Sequence, residues 1–182
     1  LNPLALRGWF DQIRFDRLTV LVDLAMPRRA AYSKGTRYSL NKAARLLEVR
    51  PIGQQEADLF QSLYERGLRR NRASDAYYFA PDYYARLLAA PWAQAWVAEC
   101  DGEPVATACF LSGGHFAHYH LSGGGDEARK TFAHYLLVER AIAHYAEAGC
   151  LWMHLGGGRT TDPHDELLRF KTRFSRQQVP YY

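Results

Sequence analysis

Apolar positions along the chain follow two rhythms. One is the period of two that a half-buried strand requires, because successive side chains point to opposite faces, or a short unbroken apolar run that suits a fully buried strand. It is met over residues 18–24 (LTVLVDL), 46–52 (LLEVRPI), 93–100 (AQAWVAEC), 104–111 (PVATACFL), 115–121 and 151–155. The other is the three- and four-residue spacing of an amphipathic helix. It is met in residues 54–70, where Ala57, Phe60, Leu63 and Tyr64 recur. It is met again in residues 131–148, where Ala133, Leu137, Val138, Ala141, Ile142 and Tyr145 share a face opposite Glu139, Arg140 and Glu147. Further helices are expected over residues 28–45, after Pro27, over the DYYARLLAA run that Pro81 opens, and near residue 170. Residues 1–17 carry Trp9, Phe10, Ile13 and Phe15 without a clean period, and read as loop and short helix.

Turn residues link these elements into an order. Asp101-Gly102 is a tight hairpin signal and Ser112-Gly113-Gly114 a second turn, so residues 93–121 form a three-strand antiparallel meander. Gly149 suits the residue after a helix end. The two-residue helix-to-strand step that follows implies that strand 151–155 runs parallel to strand 115–121. The fold class is α/β, a mixed central sheet with a long crossover helix and flanking helices. Two glycine-rich stretches, Ser122 to Gly125 and Gly156 to Gly158, read as loops at strand ends, each followed by a helix start. Exposed N–H groups and the positive end of a helix dipole can hold an anionic or carbonyl group at such a place.

Composition narrows this picture only modestly. With 182 residues, 48% hydrophobic and 14% aromatic, the chain is one domain of ordinary size, or one plus a fragment of another, and can bury a core. Starting at Leu1 without Met and stopping at Tyr182, it reads as a piece of a longer protein. Cys100, Cys109 and Cys150 are isolated, which suits reduced thiols in the cytoplasm. No run reaches the ~18 apolar residues of a membrane span, and no signal-peptide pattern is present. The net charge of +4 concentrates in Arg28, Arg29, Lys34, Arg37, Lys42 and Arg45, among which no acidic residue falls. That run reads either as a footprint for phosphates, RNA included, or as a solvated helical face. Tyr32 and Tyr38, interleaved with it, stack on a base or pack on the core. The cluster Arg66, Arg69, Arg70 and Arg72 suits the negative end of a helix dipole. Tyr77, Tyr78, Phe79, Tyr83 and Tyr84 line a groove or fill core and rim.

Taken together, the order of elements resembles the GNAT acyltransferase fold. The ordinary family carries Q/R-x-x-G-x-G/A at the start of its crossover helix. Residues 121–132 read LSGGGDEARKTF instead, with glycines that come too early, which counts against a standard CoA enzyme. The sequence is more similar to a divergent branch, the Fem-type aminoacyltransferases and the BioF2-like acetyltransferases. The resemblance is carried by YHLSGGGDEAR (residues 119–129), HLGGG (154–158) and LLRFKTRF (167–174). The LVDL strand followed by the basic SKGTRYSLNKA segment also resembles that family's entry into a second GNAT-like domain. The resemblance implies that residues 1–30 end a preceding domain or linker with one strand. It implies equally that 31–182 are a GNAT-like domain truncated at its C-terminus, and that an N-terminal GNAT-like domain is missing.

In such a fold an amine attacks an activated carbonyl, the thioester of an acyl-CoA or the ester of an aminoacyl-tRNA, with no tightly bound cofactor. The resemblance places Phe170 and Lys171 at the acyl-donor end, with Lys171 stabilising the oxyanion. Judged on its residues alone, Lys171 reads equally as a solvent-facing lysine. Gly156, Gly157 and Gly158 let a ligand approach backbone or form a plain strand exit. Ser122, Gly123, Gly124 and Gly125, with Arg129 and Lys130, would form a second donor wall through backbone amides. No general base stands out; His154, Asp162, Asp165 and Glu166 qualify by position only. His118 and His120 lie two apart on one strand but lack a third metal ligand, so no metal is expected. The expected activity is N-acyl or aminoacyl transfer to an amine, in cell-wall or polysaccharide precursor metabolism. The alternative is a catalytically degenerate domain that binds a peptide, a nucleotide or RNA.

Overall fold

The structure, a computed structural model, describes residues 12–26 and 31–182. The expectations placed on residues 1–11, Pro27, Arg28 and Arg29 lie outside the described residues. Among the described residues there are seven strands: β1 (Arg17–Asp23), β2 (Glu48–Ile52), β3 (Ala93–Cys100), β4 (Glu103–Gly113), β5 (Phe116–Gly124), β6 (Trp152–Gly157) and β7 (Gln178–Tyr181). The helices are α1 (Lys34–Leu46), α2 (Ala57–Arg70), α3 (Pro81–Ala89), α4 (Asp126–Lys130), α5 (Ala133–Glu147) and α6 (Glu166–Lys171).

The strands form one mixed sheet in the order β2-β3-β4-β5-β6-β1-β7. The meander β3-β4-β5 is antiparallel, as its turns require. Asp101 and Gly102 take φ of 51° and 82°, the left-handed pair of a tight hairpin. The α5 crossover returns the chain so that β6 runs parallel to β5. β1 lies far from β2, the next strand in sequence, and pairs antiparallel with both β6 and β7.

Each face of the sheet carries its own core. α1, α5 and α6 cover one face, where Val20, Leu40, Phe110, Leu137, Met153 and Leu155 are buried. α2 and α3 cover the other, with Phe60, Leu63, Tyr64, Tyr84 and Val97. Each such side chain contributes about 1.5–3 kcal/mol on full burial. Tyr32 belongs to the first core and donates to Glu139 Oε2 at 2.7 Å, whereas Tyr38 is exposed. Of the aromatic run, Phe79 and Tyr84 pack on Phe60 and Tyr64 of α2, Phe79 stacks on Tyr83 at 4.3 Å, and Tyr77 is exposed.

Local chemistry sets the helix ends. α1 begins at Lys34 rather than near Arg28, because the Ser33 side chain accepts from the Thr36 N–H and caps it. Leu46 closes α1 instead of opening β2. The helix expected over residues 131–148 is α5, which starts at Ala133; a separate short helix, α4, precedes it, with Phe132 in left-handed geometry (φ 58°) between the two.

The first glycine stretch also departs from expectation. β5 runs through Gly124, so Ser122, Gly123 and Gly124 are strand, not loop. The cause is packing: a Cβ on Gly123 would meet Tyr64 Cα at 2.2 Å, and one on Gly124 would meet Ala128 Cβ at 2.8 Å. The glycines let α2 and α4 lie directly on the strand.

Candidate active site

β5 and β6 are hydrogen-bonded only over Phe116–Trp152, Ala117–Met153 and His118–His154. Beyond that rung the two strands part, although β5 continues to Gly124 and β6 to Gly157. Each stays paired on its other side, β5 with β4 and β6 with β1. A wedge opens between them, and its walls are strand edges with backbone N–H and C=O groups turned towards it.

A bulge shapes one wall. The β4–β5 register passes from Cys109–Leu121 to Phe110–Tyr119, which leaves His120 as an extra residue. Tyr119 therefore sits in the α1/α5/α6 core and Leu121 in the α2/α3 core, two residues apart yet on opposite faces. Simple alternation over residues 115–121 would have put them on one.

Lys171 enters the wedge from α6. Only 8% exposed, its Nζ donates to the Gly157 carbonyl at 2.7 Å and lies 5.9 Å from the centre of the Tyr119 ring. One side chain thus spans from β6 to β5. Burial pulls its pKa down from 10.5 to about 8, against the attraction of Asp165 and assisted by the repulsion of Arg17. Gly156 makes the space for it: its φ is 77°, and a Cβ there would sit 3.1 Å from Nζ.

The other sequence-predicted residues take different places. Asp165 caps α6 through the Leu167 and Leu168 N–H groups and holds the preceding loop through those of Arg159 and Thr160. Burial opposes its charge, but those donors hold its carboxyl below the usual range. A Cβ on Gly158 would meet Asp165 Cγ at 2.6 Å, so this glycine packs the loop against the cap. Gly157 approaches the Leu18 carbonyl of β1 in the same way, at 2.7 Å. Phe170 packs edge-on to Tyr135 and Phe174 in an aromatic cluster beneath α5. Gly125 receives Arg70 from α2, whose Nη1 donates to its carbonyl at 2.8 Å. Arg129 and Lys130 are exposed on α4, with Lys130 paired to Glu127 at 3.2 Å. Asp162 and Glu166 are exposed.

Three histidines gather at the apex of the wedge. His118 and His154 alternate with core residues of the α1/α5/α6 side, so their rings stand on the α2/α3 side. Their Nδ1 atoms are 3.0 Å apart, the ring centres are 5.1 Å apart, and the ring planes lie within 18° of parallel. His120 meets the Tyr83 hydroxyl of α3 at 2.7 Å. Burial, then His154, His120 and Lys171, push the His118 pKa down to about 4. Burial and Lys171 lower that of His154. Sequence reasoning named His154 by position alone and did not see the pairing with His118. The signal was there: equal places on two parallel strands.

Of the basic run, Lys34, Arg37 and Arg45 are exposed on α1, while Lys42 lies 5.3 Å from the Phe132 ring centre. The start of α1 borders a groove of about 740 Å³ whose other wall carries Arg169, Arg173 and Arg176, with Asp23 in its lining.

The family model described as an acetyltransferase (GNAT) domain matches residues 31–172. No curated protein sequence matches the chain. Among solved structures, FemX superposes with a TM-score of 0.72 at 13% identity, over 92% of this chain and 60% of FemX. The C-terminal domain of a protein assigned as a lysylphosphatidylglycerol synthetase, from Agrobacterium fabrum, gives 0.65 at 22% identity, over 90% of this chain and 58% of that one. An aminoglycoside acetyltransferase from an uncultured soil metagenomic sample, in complex with sisomicin, gives 0.60 at 12% identity, over 76% and 95%. The chain thus spans about three-fifths of the length of the first two. At these identities the likeness shows a shared fold. With the family model matching most of the chain, and with the sheet parting between β5 and β6 under the α5 crossover, the chain belongs to the acetyltransferase (GNAT) domain family.

Proposed function

We propose that the wedge is where an activated acyl or aminoacyl group meets an amine, and that the domain is an N-acyltransferase. The observation that carries this reading is Lys171. A lysine buried this deeply is costly, and its cation is aimed into a gap between strands with one N–H on the Gly157 carbonyl. An ammonium has three donors, so two remain for an oxygen in the wedge.

The amine nitrogen attacks the donor carbonyl carbon, and the carbonyl oxygen becomes an oxyanion. Lys171 and unpaired N–H groups of the β5 and β6 edges stabilise it, in surroundings where charge is worth more than in water. The tetrahedral intermediate then collapses and expels the carrier as a thiol or a ribose hydroxyl. Phe170 holds α6 against α5 through Tyr135 and Phe174, and so sets the depth at which Lys171 enters.

The carrier bears phosphates, as either an acyl-CoA or an aminoacyl-tRNA. The groove between α1 and α6 supports this, since Arg169, Arg173 and Arg176 line it opposite Ser33 and Thr36 at the start of α1. Ser122 to Gly125 and Arg129 with Lys130 form a second candidate contact for the carrier. Titration with CoA and with charged tRNA at two salt concentrations tests the choice. A tRNA carrier gives affinity that falls steeply with salt, because each neutralised phosphate releases counterions. CoA gives saturable binding that competes with the acyl donor. Binding of neither overturns the reading.

We place the reaction in the cytoplasm and propose that residues 31–182 form the GNAT-like unit, with β1 entering it from a preceding domain of the same kind. The acceptor is an amine of a cell-wall or polysaccharide precursor.

A further inference from the structure

We propose that His118 and His154 form a proton relay which takes the proton released by the attacking amine, so that the acceptor reaches the wedge from the α2/α3 face. This rests on the transfer reading above and adds to it the route of the acceptor and of the proton.

Position is the first support. The two rings occupy the last rung at which β5 and β6 still pair, directly at the apex of the wedge. Lys171 enters from α6 on one face of the sheet, and the histidines stand on the other. A carbonyl held in the gap would therefore present its oxygen towards a cation and its far side towards imidazole nitrogen.

The second support is the hydrogen bond itself. A neutral imidazole carries a single N–H, at Nδ1 or at Nε2. A bond between two Nδ1 atoms 3.0 Å apart requires one ring to donate there and the other to accept. The donating ring then has a bare Nε2, and the accepting ring has Nε2–H. Whichever way round the pair stands, it offers one proton acceptor and one proton donor. When the bare Nε2 takes a proton from the amine, the shared Nδ1 proton passes across and the other ring releases its Nε2 proton. The balance closes: the N–C bond forms, the C–S or C–O bond of the donor breaks, the amine loses one proton and the leaving group gains one.

Neighbouring charges favour this use. Among the described residues, the groups facing the pair are His120 on β5, which bonds to Tyr83 of α3, and Lys171 from α6. None of these is a carboxylate that would trap an imidazolium, and burial, with Lys171, lowers the pKa of both rings and favours their neutral forms. The relay holds a proton only in passing.

The test uses acetyl-CoA and aminoacyl-tRNA as donors, with lysine and hydroxylamine as probe acceptors. His118→Gln and His154→Gln are each expected to lower kcat by about 10²–10⁴-fold with the KM for donor nearly unchanged. The double variant is expected to be no worse than either single one, because the rings act as one unit. The acid limb of the pH–rate profile should vanish, and added imidazole should restore part of the rate. A purely structural pair would give no such rescue. Transfer within about threefold of wild type in both single variants, with the acid limb intact, overturns the relay and leaves the transferase standing. Wild type that transfers from neither donor overturns the transferase reading and the relay together. Nitrogen-15 NMR of the wild type needs no turnover and should show one Nδ1–H ring and one Nε2–H ring. Two Nε2–H rings without a shared proton overturn the pair.

Discussion

Lys171→Met separates a functional lysine from a structural one, because the two roles predict opposite signs for stability. Lowering the pKa from 10.5 to about 8 means that burial disfavours the ammonium by roughly 3 kcal/mol relative to the neutral amine. Methionine keeps most of the apolar stem and removes the charge. The lost hydrogen bond to the Gly157 carbonyl returns about 1 kcal/mol of that gain. Below pH 8 the variant should be about 1–3 kcal/mol more stable than wild type, a rise in Tm of about 2–12 °C for a chain of this size. The sign with pH follows from linkage. The folded pKa lies below the unfolded one, so between about 8 and 10.5 the unfolded chain holds a proton that the folded chain has released. Wild-type stability therefore rises over that interval, and the variant's advantage shrinks. Activity should move the other way, with kcat down by about 10²–10³-fold through loss of an oxyanion partner. Urea unfolding from pH 7 to 10, beside kcat on the same preparations, checks both. A variant that melts several degrees lower while keeping its rate would refute the reasoning.

Three further outcomes are expected. Gly156→Ala puts a Cβ on a left-handed residue 3.1 Å from Lys171 Nζ, so it should lower kcat and cost about 1–3 kcal/mol in urea unfolding. Gly123→Ala should cost about 3 kcal/mol or more, because its Cβ would overlap Tyr64 Cα at 2.2 Å and force α2 off the strand; thermal melting reads it. Arg173→Ala with Arg176→Ala should weaken carrier binding and flatten its salt dependence while leaving Tm nearly unchanged, as both guanidinium groups are exposed.

Much of the secondary structure was legible because it is local. The meander follows from two turn signals and period-two patterning, and the α5 face from its spacing. HLGGG and the Phe170-Lys171 pair pointed to the wedge through resemblance, but the residues alone left Lys171 as plausible on the surface as inside.

What the sequence by itself determined was the kind of each element and the order in which they meet. Those depend on side-chain period, capping and turn geometry, which act over a few residues. Only the tertiary structure decided where β1 joins the sheet, since strand pairing depends on contacts more than a hundred residues apart. It also turned the first glycine stretch from a loop into a packing surface, because the need for glycine there comes from the backbone of α2. The bulge at His120 belongs to the same class, as one unpaired residue moves its neighbours to opposite faces without a mark in the composition. The wedge, the depth of Lys171 and the meeting of His118 with His154 all follow from two strands that pair for three rungs and then part.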